Sequence, residues 1–199
     1  MKSRITSILF PSKSISTFII SFFIIGIISG SIFLICLSTG DKTIVSTELR
    51  GIISGNLTGS IKNTLTINLL YIISIFILGI STIGLVFNGF IVYLKGFVTG
   101  FCVSSMIYIY KVKGLLLGLI YLIPHNIINI LIILSLSIYS IIFSLGIIKQ
   151  ITGKRINTIN LLKRYTFIFL VSLGVIILTS IIEVYFTTFL LNSVSGLFK

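Results

Sequence analysis

Long apolar runs alternate with short polar joins along nearly the whole 199-residue chain. About 20 consecutive apolar residues cross a bilayer as a helix. On that measure Ile15–Ser38, Thr66–Val86, Phe90–Tyr110 and Tyr165–Leu191 are spans. A longer block, Gly114–Ile148, would reach about 52 Å as one helix at ~1.5 Å per residue, against a hydrocarbon core of ~30 Å. Pro124-His125-Asn126 falls where a break removes the excess, because Pro lacks a backbone donor and disfavours helix at the residue before it. The block then divides into a half-helix over 114–123, re-entrant or interfacial, and a span over 127–148. Non-helical backbone at such depth is tolerated where it is buried in protein or lines a cavity. The predicted fold is all-α: a polytopic transmembrane bundle with spans at about 15–38, 66–86, 90–110, 127–148 and 165–191, forming one membrane domain over 1–199.

Two joins carry their own pattern. Leu49, Ile52, Ile53, Leu57, Ile61 and Leu65 recur at three- or four-residue intervals, the signature of one apolar helical face. Gly51, Gly55 and Gly59 weaken helicity there. The segment 46–65 is therefore either an interfacial helix or a loosely ordered loop. Runs two and three meet at Phe87-Asn88-Gly89; Asn-Gly favours turns, which predicts a tight helical hairpin at that point.

Composition agrees with the pattern. The chain is 56% hydrophobic and only 9% charged, where soluble domains keep about 25% charged residues. Lipid is thus its first partner. The net charge of +12 is no nucleic-acid footprint, since the cations sit at the ends of apolar runs and not on a soluble face. The N-terminal tail carries Lys2, Arg4 and Lys13, and the 149–164 loop carries Lys149, Lys154, Arg155, Lys163 and Arg164 without an acid. The positive-inside rule places both in the cytoplasm and, with five spans, the C-terminus outside, with Lys111 and Lys113 on the outer side. The first run reads as an uncleaved signal anchor, longer than a signal-peptide core and followed by no small-residue cleavage site. Cys36 and Cys102, both within apolar runs, form neither a disulfide framework nor a metal motif.

Chemistry must be sought in the few polar groups at membrane depth. Glu183 is the most informative, because an acid near a helix centre costs ~2.5–3.5 kcal/mol on insertion scales and usually faces the protein interior. Lys95, five residues into the third run, either snorkels to the inner interface or turns inward. Its level differs from that of Glu183 by roughly 15 Å at 1.5 Å per residue, which disfavours a direct salt bridge. His125, with Asn126 and Asn129 as further donors, is the better-placed partner for Glu183. Together with Pro124, these residues make a candidate polar cluster, which either lines a cavity or fixes helix rotation by internal hydrogen bonds. Three pairs at four-residue spacing, Gly26/Gly30, Gly96/Gly100 and Gly114/Gly118, let helix backbones approach closely, within the chain or against a second copy of it. A single His, no G-x-S-x-G and no Asp within a span leave no catalytic constellation, and no cofactor or metal site is expected.

Four segments, in this order and spacing, carry a resemblance. They are Ile77-Leu78-Gly79-Ile80-Ser81, Leu94-Lys95-Gly96-Phe97-Val98-Thr99-Gly100-Phe101, Leu122-Ile123-Pro124-His125-Asn126 and Ile181-Ile182-Glu183. With the five-span frame they resemble the stage II sporulation protein M family of bacterial membrane proteins, over most of Ile15–Leu191. The wider family often has Gly after Pro-His and a Glu a few residues later, where this chain has Asn126 and Asn129. The resemblance implies a non-enzymatic scaffold of the cell membrane. Such a scaffold would partner stage II sporulation proteins D and P, which remodel peptidoglycan, in thinning the septum and moving the mother-cell membrane around the forespore. A small transporter or channel subunit, with Lys95, His125 and Glu183 around a wet cavity, is the competing reading.

Overall fold

The computed structural model describes residues 12–53, 60–81, 84–122, 125–153 and 158–194; the side chains of 50–53, 60–64, 112–113, 115–122, 125 and 181–194 stand outside that description. Six helices make up the described residues: α1 Lys13–Cys36, α2 Thr39–Ile53, α3 Ser60–Ile80, α4 Gly84–Leu122, α5 His125–Ile151 and α6 Thr158–Val194. Four stretches are long and apolar enough to cross a membrane: Lys13–Cys36, Gly84–Lys111, Asn126–Ile151 and Thr158–Ser180. Leu65–Ile80, within α3, is a shorter apolar helix. Four-residue backbone ladders satisfy every peptide group inside such a segment, which is why an apolar chain in lipid takes this form.

α5 is the central element. One of its faces joins a core of Ile72 and Ile75 from α3, Ile133, Leu136, Tyr139 and Phe143 from α5, and Tyr165 and Ile176 from α6. Another packs Leu134, Ile138 and Ile141 against Ile19 of α1 and Val92 of α4. The α5 polar side chains Asn129, Ser135, Ser137, Ser140 and Ser144 are all buried, and the central position keeps them from lipid. α1 and α4 run parallel, as do α3 and α5; α6 runs antiparallel to α5. The bundle thus has a near side, holding Lys13, Ile80, Gly84, Ile151 and Thr158, and a far side, holding Cys36, Lys111 and His125.

Three boundaries differ from the sequence reading, and a fourth agrees with it. The helix ending at Ile80 and the one beginning at Gly84 meet before Phe87-Asn88-Gly89, which is helical inside α4. The chain turns there because Ser81 N–H returns to Leu78 O at 3.0 Å and Gly84 N–H to Ser81 O at 3.0 Å. A Cβ at Gly84 would fall 1.6 Å from Leu78 O, so glycine is required. The apolar helix expected at 66–86 accordingly ends at Ile80, and the one expected at 90–110 starts at Gly84. α2 begins at Thr39, seven positions before the expected 46. Ser38 starts it: its Oγ accepts from Asp41 N–H at 3.2 Å and donates to Asp41 Oδ2 at 2.7 Å, a capping box in outline. Residues 60–65 belong to α3, and 54–59 lie outside the described residues. The fourth is the join expected between Tyr110 and Gly114: α4 is broken there, at Lys111 (φ 52, ψ −128), a backbone conformation that is strained for a residue with a Cβ. Beyond it the chain turns back so tightly that a Cβ on Gly114 would lie 2.0 Å from Met106 O. The half-helix expected over 114–123 therefore follows a single-residue break and runs to Leu122, with Pro124 outside the described residues.

Candidate polar core and helix crossings

The closest helix contact is built from glycine. A Cβ on Gly26 would lie 2.3 Å from Tyr93 O, and one on Gly30 2.1 Å from Phe97 O. On the facing helix, a Cβ on Gly96 would lie 2.3 Å from Phe23 O and one on Gly100 2.2 Å from Ile27 O. Gly26/Gly30 of α1 and Gly96/Gly100 of α4 thus seat against each other, backbone to backbone. The contact continues through Ser31 Oγ, 3.4 Å from Gly100 O, and Ser29 Oγ, 2.9 Å from the Tyr93 hydroxyl. Gly114 packs on Met106 across the Lys111 break; Gly118 lies in α4, with its surroundings outside the described residues.

Lys95 is buried, with 9% of its surface exposed. Its Nζ donates to Asn68 Oδ1 at 3.1 Å and stands 5.1 Å from the centre of the Tyr71 ring. The side chain therefore does not snorkel. It is held between α3 and α4, close to the middle of the Gly84–Lys111 stretch, because the helix starts six residues earlier than the apolar run. An ammonium at that depth needs hydrogen bonds and a polarisable face in place of water.

Nearer the near side, a second polar group ties four helices. The fully buried Asn88 donates Nδ2–H to Ser140 Oγ. Ser140 Oγ in turn donates to Ile75 O at 3.2 Å. The Tyr165 hydroxyl reaches Ile75 O at 3.0 Å and Phe76 O at 3.1 Å. Gly79 makes room: a Cβ there would lie 2.3 Å from both Ser140 Oγ and the Tyr165 hydroxyl. The Tyr165 ring stacks between Phe76 and Phe143 at centroid distances of 5.1 and 5.2 Å. At the edge, Ser144 Oγ donates to Ser81 O at 3.1 Å, pinning the α3–α4 turn to α5.

Toward the far side, Asn129 is 1% exposed and its Oδ1 accepts from Thr179 Oγ1 at 2.6 Å. Asn129 Nδ2 and Ser180 Oγ have no partner among the described residues. Asn126 is partly exposed. The α5–α6 contacts Phe143–Tyr165 and Asn129–Thr179 share one antiparallel register, in which an advance along one helix equals a retreat along the other. Carried one further turn, that register sets positions 125 and 183 level. The side chains of His125 and Glu183 lie outside the described residues. Lys95 is bonded to Asn68 on α3.

The polar partners Asn68, Ser140, Tyr165 and Thr179 are additions to the sequence reading. Asn68 and Thr179 each interrupt an apolar run, which was a signal; Asn88 was legible as polar but read as a turn residue. No group of three or more His, Cys, Asp or Glu residues among those described is arranged to hold a metal ion. Both cysteines are free, Cys36 exposed and Cys102 partly buried.

Neither the curated proteins nor the solved structures contain a match to this chain. One family model does match, that of stage II sporulation protein M, over residues 19–188. That stretch takes in the glycine crossing, all three polar contacts, the Lys111 break and most of every helix, and the chain belongs to the stage II sporulation protein M family of membrane proteins.

Proposed function

We propose that this protein is a non-enzymatic membrane scaffold in endospore formation. It recruits or organises peptidoglycan-remodelling proteins, stage II sporulation proteins D and P among them, for septal thinning and forespore engulfment. The match to the sporulation family over residues 19–188 carries this reading. The geometry favours it in one respect: the buried polar groups Lys95, Asn88, Ser140, Tyr165, Asn129 and Thr179 are used in bonds between helices, as a rigid docking platform requires. In this reading α3 is a fifth crossing, the N-terminus is cytoplasmic, and the far side with α2 and the Lys111 break faces the wall.

Deleting the gene in the native host and imaging membranes with dye during sporulation tests it. Cells stalled with a flat or bulging septum, rescued by the wild-type gene, are expected. Completed engulfment without the protein would overturn the reading. Lys95, buried at mid-span, supports a second reading as a small transporter or channel subunit. Solute flux in proteoliposomes that Lys95→Met or Glu183→Gln abolishes would replace the scaffold with it.

A further inference from the structure

One turn past the Gly30–Gly100 contact, larger side chains stand on both α1 and α4, and a cavity of about 350 Å3 opens between the helices on the far side. Its walls are apolar: Leu34 and Ile35 from α1, Ile107 and Tyr108 from α4. Ser31 at its base is already turned to the carbonyls of Ile27 and Gly100. Ile35 is 72% exposed and Tyr108 56% exposed, so the cavity is open toward the acyl chains around the bundle.

α2 folds over its mouth and supplies Lys42. The Lys42 ammonium donates to Ile35 O at 2.8 Å, at the carbonyl end of α1, and lies 5.7 Å from the centre of the Tyr108 ring. Both contacts fix the cation at the level where α1 leaves the apolar layer. An ammonium has three donors; Ile35 O uses one, and Lys42 makes no ion pair among the described residues. Asp41 beside it directs Oδ2 to Ser38 and serves the α2 cap. Lys111, exposed and three residues beyond Tyr108, adds a second positive charge to the same end. A hydrophobic slot of this size, open to lipid and headed by a fixed cation with spare donors, is complementary to one kind of molecule: an amphiphile with an acyl chain and an anionic head.

We propose that the α1–α4 cavity with Lys42 is a binding site for an anionic phospholipid, acyl chain between Ile35 and Tyr108 and phosphate on Lys42. Phosphate accepts the remaining ammonium hydrogens in charge-assisted bonds, and the choice between anionic and zwitterionic lipid falls to the cation at the mouth.

The chain has no Trp, so a single reporter can be placed at will. Full-length protein carrying Tyr108→Trp is reconstituted in phosphatidylcholine vesicles and titrated with brominated phosphatidylglycerol or brominated phosphatidylcholine. Half-maximal quenching is expected at a several-fold lower mole fraction of the anionic lipid. Adding Lys42→Gln removes the difference, and Lys42→Arg retains it. The control is Leu70→Trp, in the second groove, about 280 Å3, between α3 and α4, whose lining carries no charge; it is expected to show no preference. Equal quenching of Tyr108→Trp by the two lipids, preference surviving in Lys42→Gln, or equal preference at Leu70→Trp would each overturn the proposal. None of these outcomes depends on whether the protein acts in sporulation.

Discussion

Single atoms decide most at the α1–α4 crossing and around Lys95. Gly30 has no room for a methyl group, because a Cβ would lie 2.1 Å from Phe97 O and a backbone carbonyl cannot swing aside as a side chain can. Gly30→Ala is expected to destabilise the bundle by about 1–3 kcal/mol, the usual cost of overpacking. Gly174 on α6 has open space where its Cβ would be; Gly174→Ala is expected to be neutral or to stabilise by up to ~1 kcal/mol through helix propensity. Unfolding by SDS titration in mixed micelles reads both, and equal effects would contradict the crossing. Asn68→Leu removes the Oδ1 that accepts from Lys95 and should cost about 1–3 kcal/mol, the loss of a hydrogen bond to a buried charged group. An Asn68→Leu variant as stable as the unchanged protein would argue against the contact.

Among the elements, the α3–α4 join shows how packing overrides a local signal. Asn88-Gly89 reads as a turn by itself, yet Asn88 has a partner in Ser140 on another helix, and the join falls between Ile80 and Gly84, where Gly84 admits Leu78 O. Gly84→Ala is therefore expected to disrupt the hairpin strongly. Gly89→Ala meets only the rings of Phe22 and Phe18 at 3.6–3.8 Å and should be tolerated, with slight stabilisation from helix propensity. The reverse ranking in the same titration would restore the turn at Asn88-Gly89. The Lys111 break follows a different logic. The apolar run ends at Tyr110 and the cations Lys111 and Lys113 mark a join, but positive φ is rare for lysine; the buried seat of Gly114 on Met106 holds it.

For the whole molecule, the helix directions put Gly40 on the far side and Thr152 on the near side. A Cβ at Gly40 meets only Ser38 Oγ at 3.8 Å, and Thr152 is exposed, so both accept cysteine. With Cys36 and Cys102 replaced by Ser, Gly40→Cys is expected to react with a membrane-impermeant maleimide in intact cells, and Thr152→Cys only after permeabilisation. Labelling of both from outside, or the opposite pattern, would overturn a cytoplasmic N-terminus with α3 as a crossing.

The sequence by itself determined the class: an apolar chain with cations at the ends of its runs has no stable form in water, and in lipid its backbone must close its own hydrogen bonds as helices. It also carried the family resemblance, the small-residue pairs and the polar groups most expensive to place in a membrane. Only the tertiary structure decided which of these meet. Gly26 finds Gly96, and Lys95 finds Asn68, because helix rotation and register follow from packing the helices against one another. Periodicity along one segment cannot express that constraint. For the same reason the Gly84 turn, and the single-residue form of the break at Lys111, were invisible locally: each is a close approach between segments, enforced by neighbours that the linear pattern does not name.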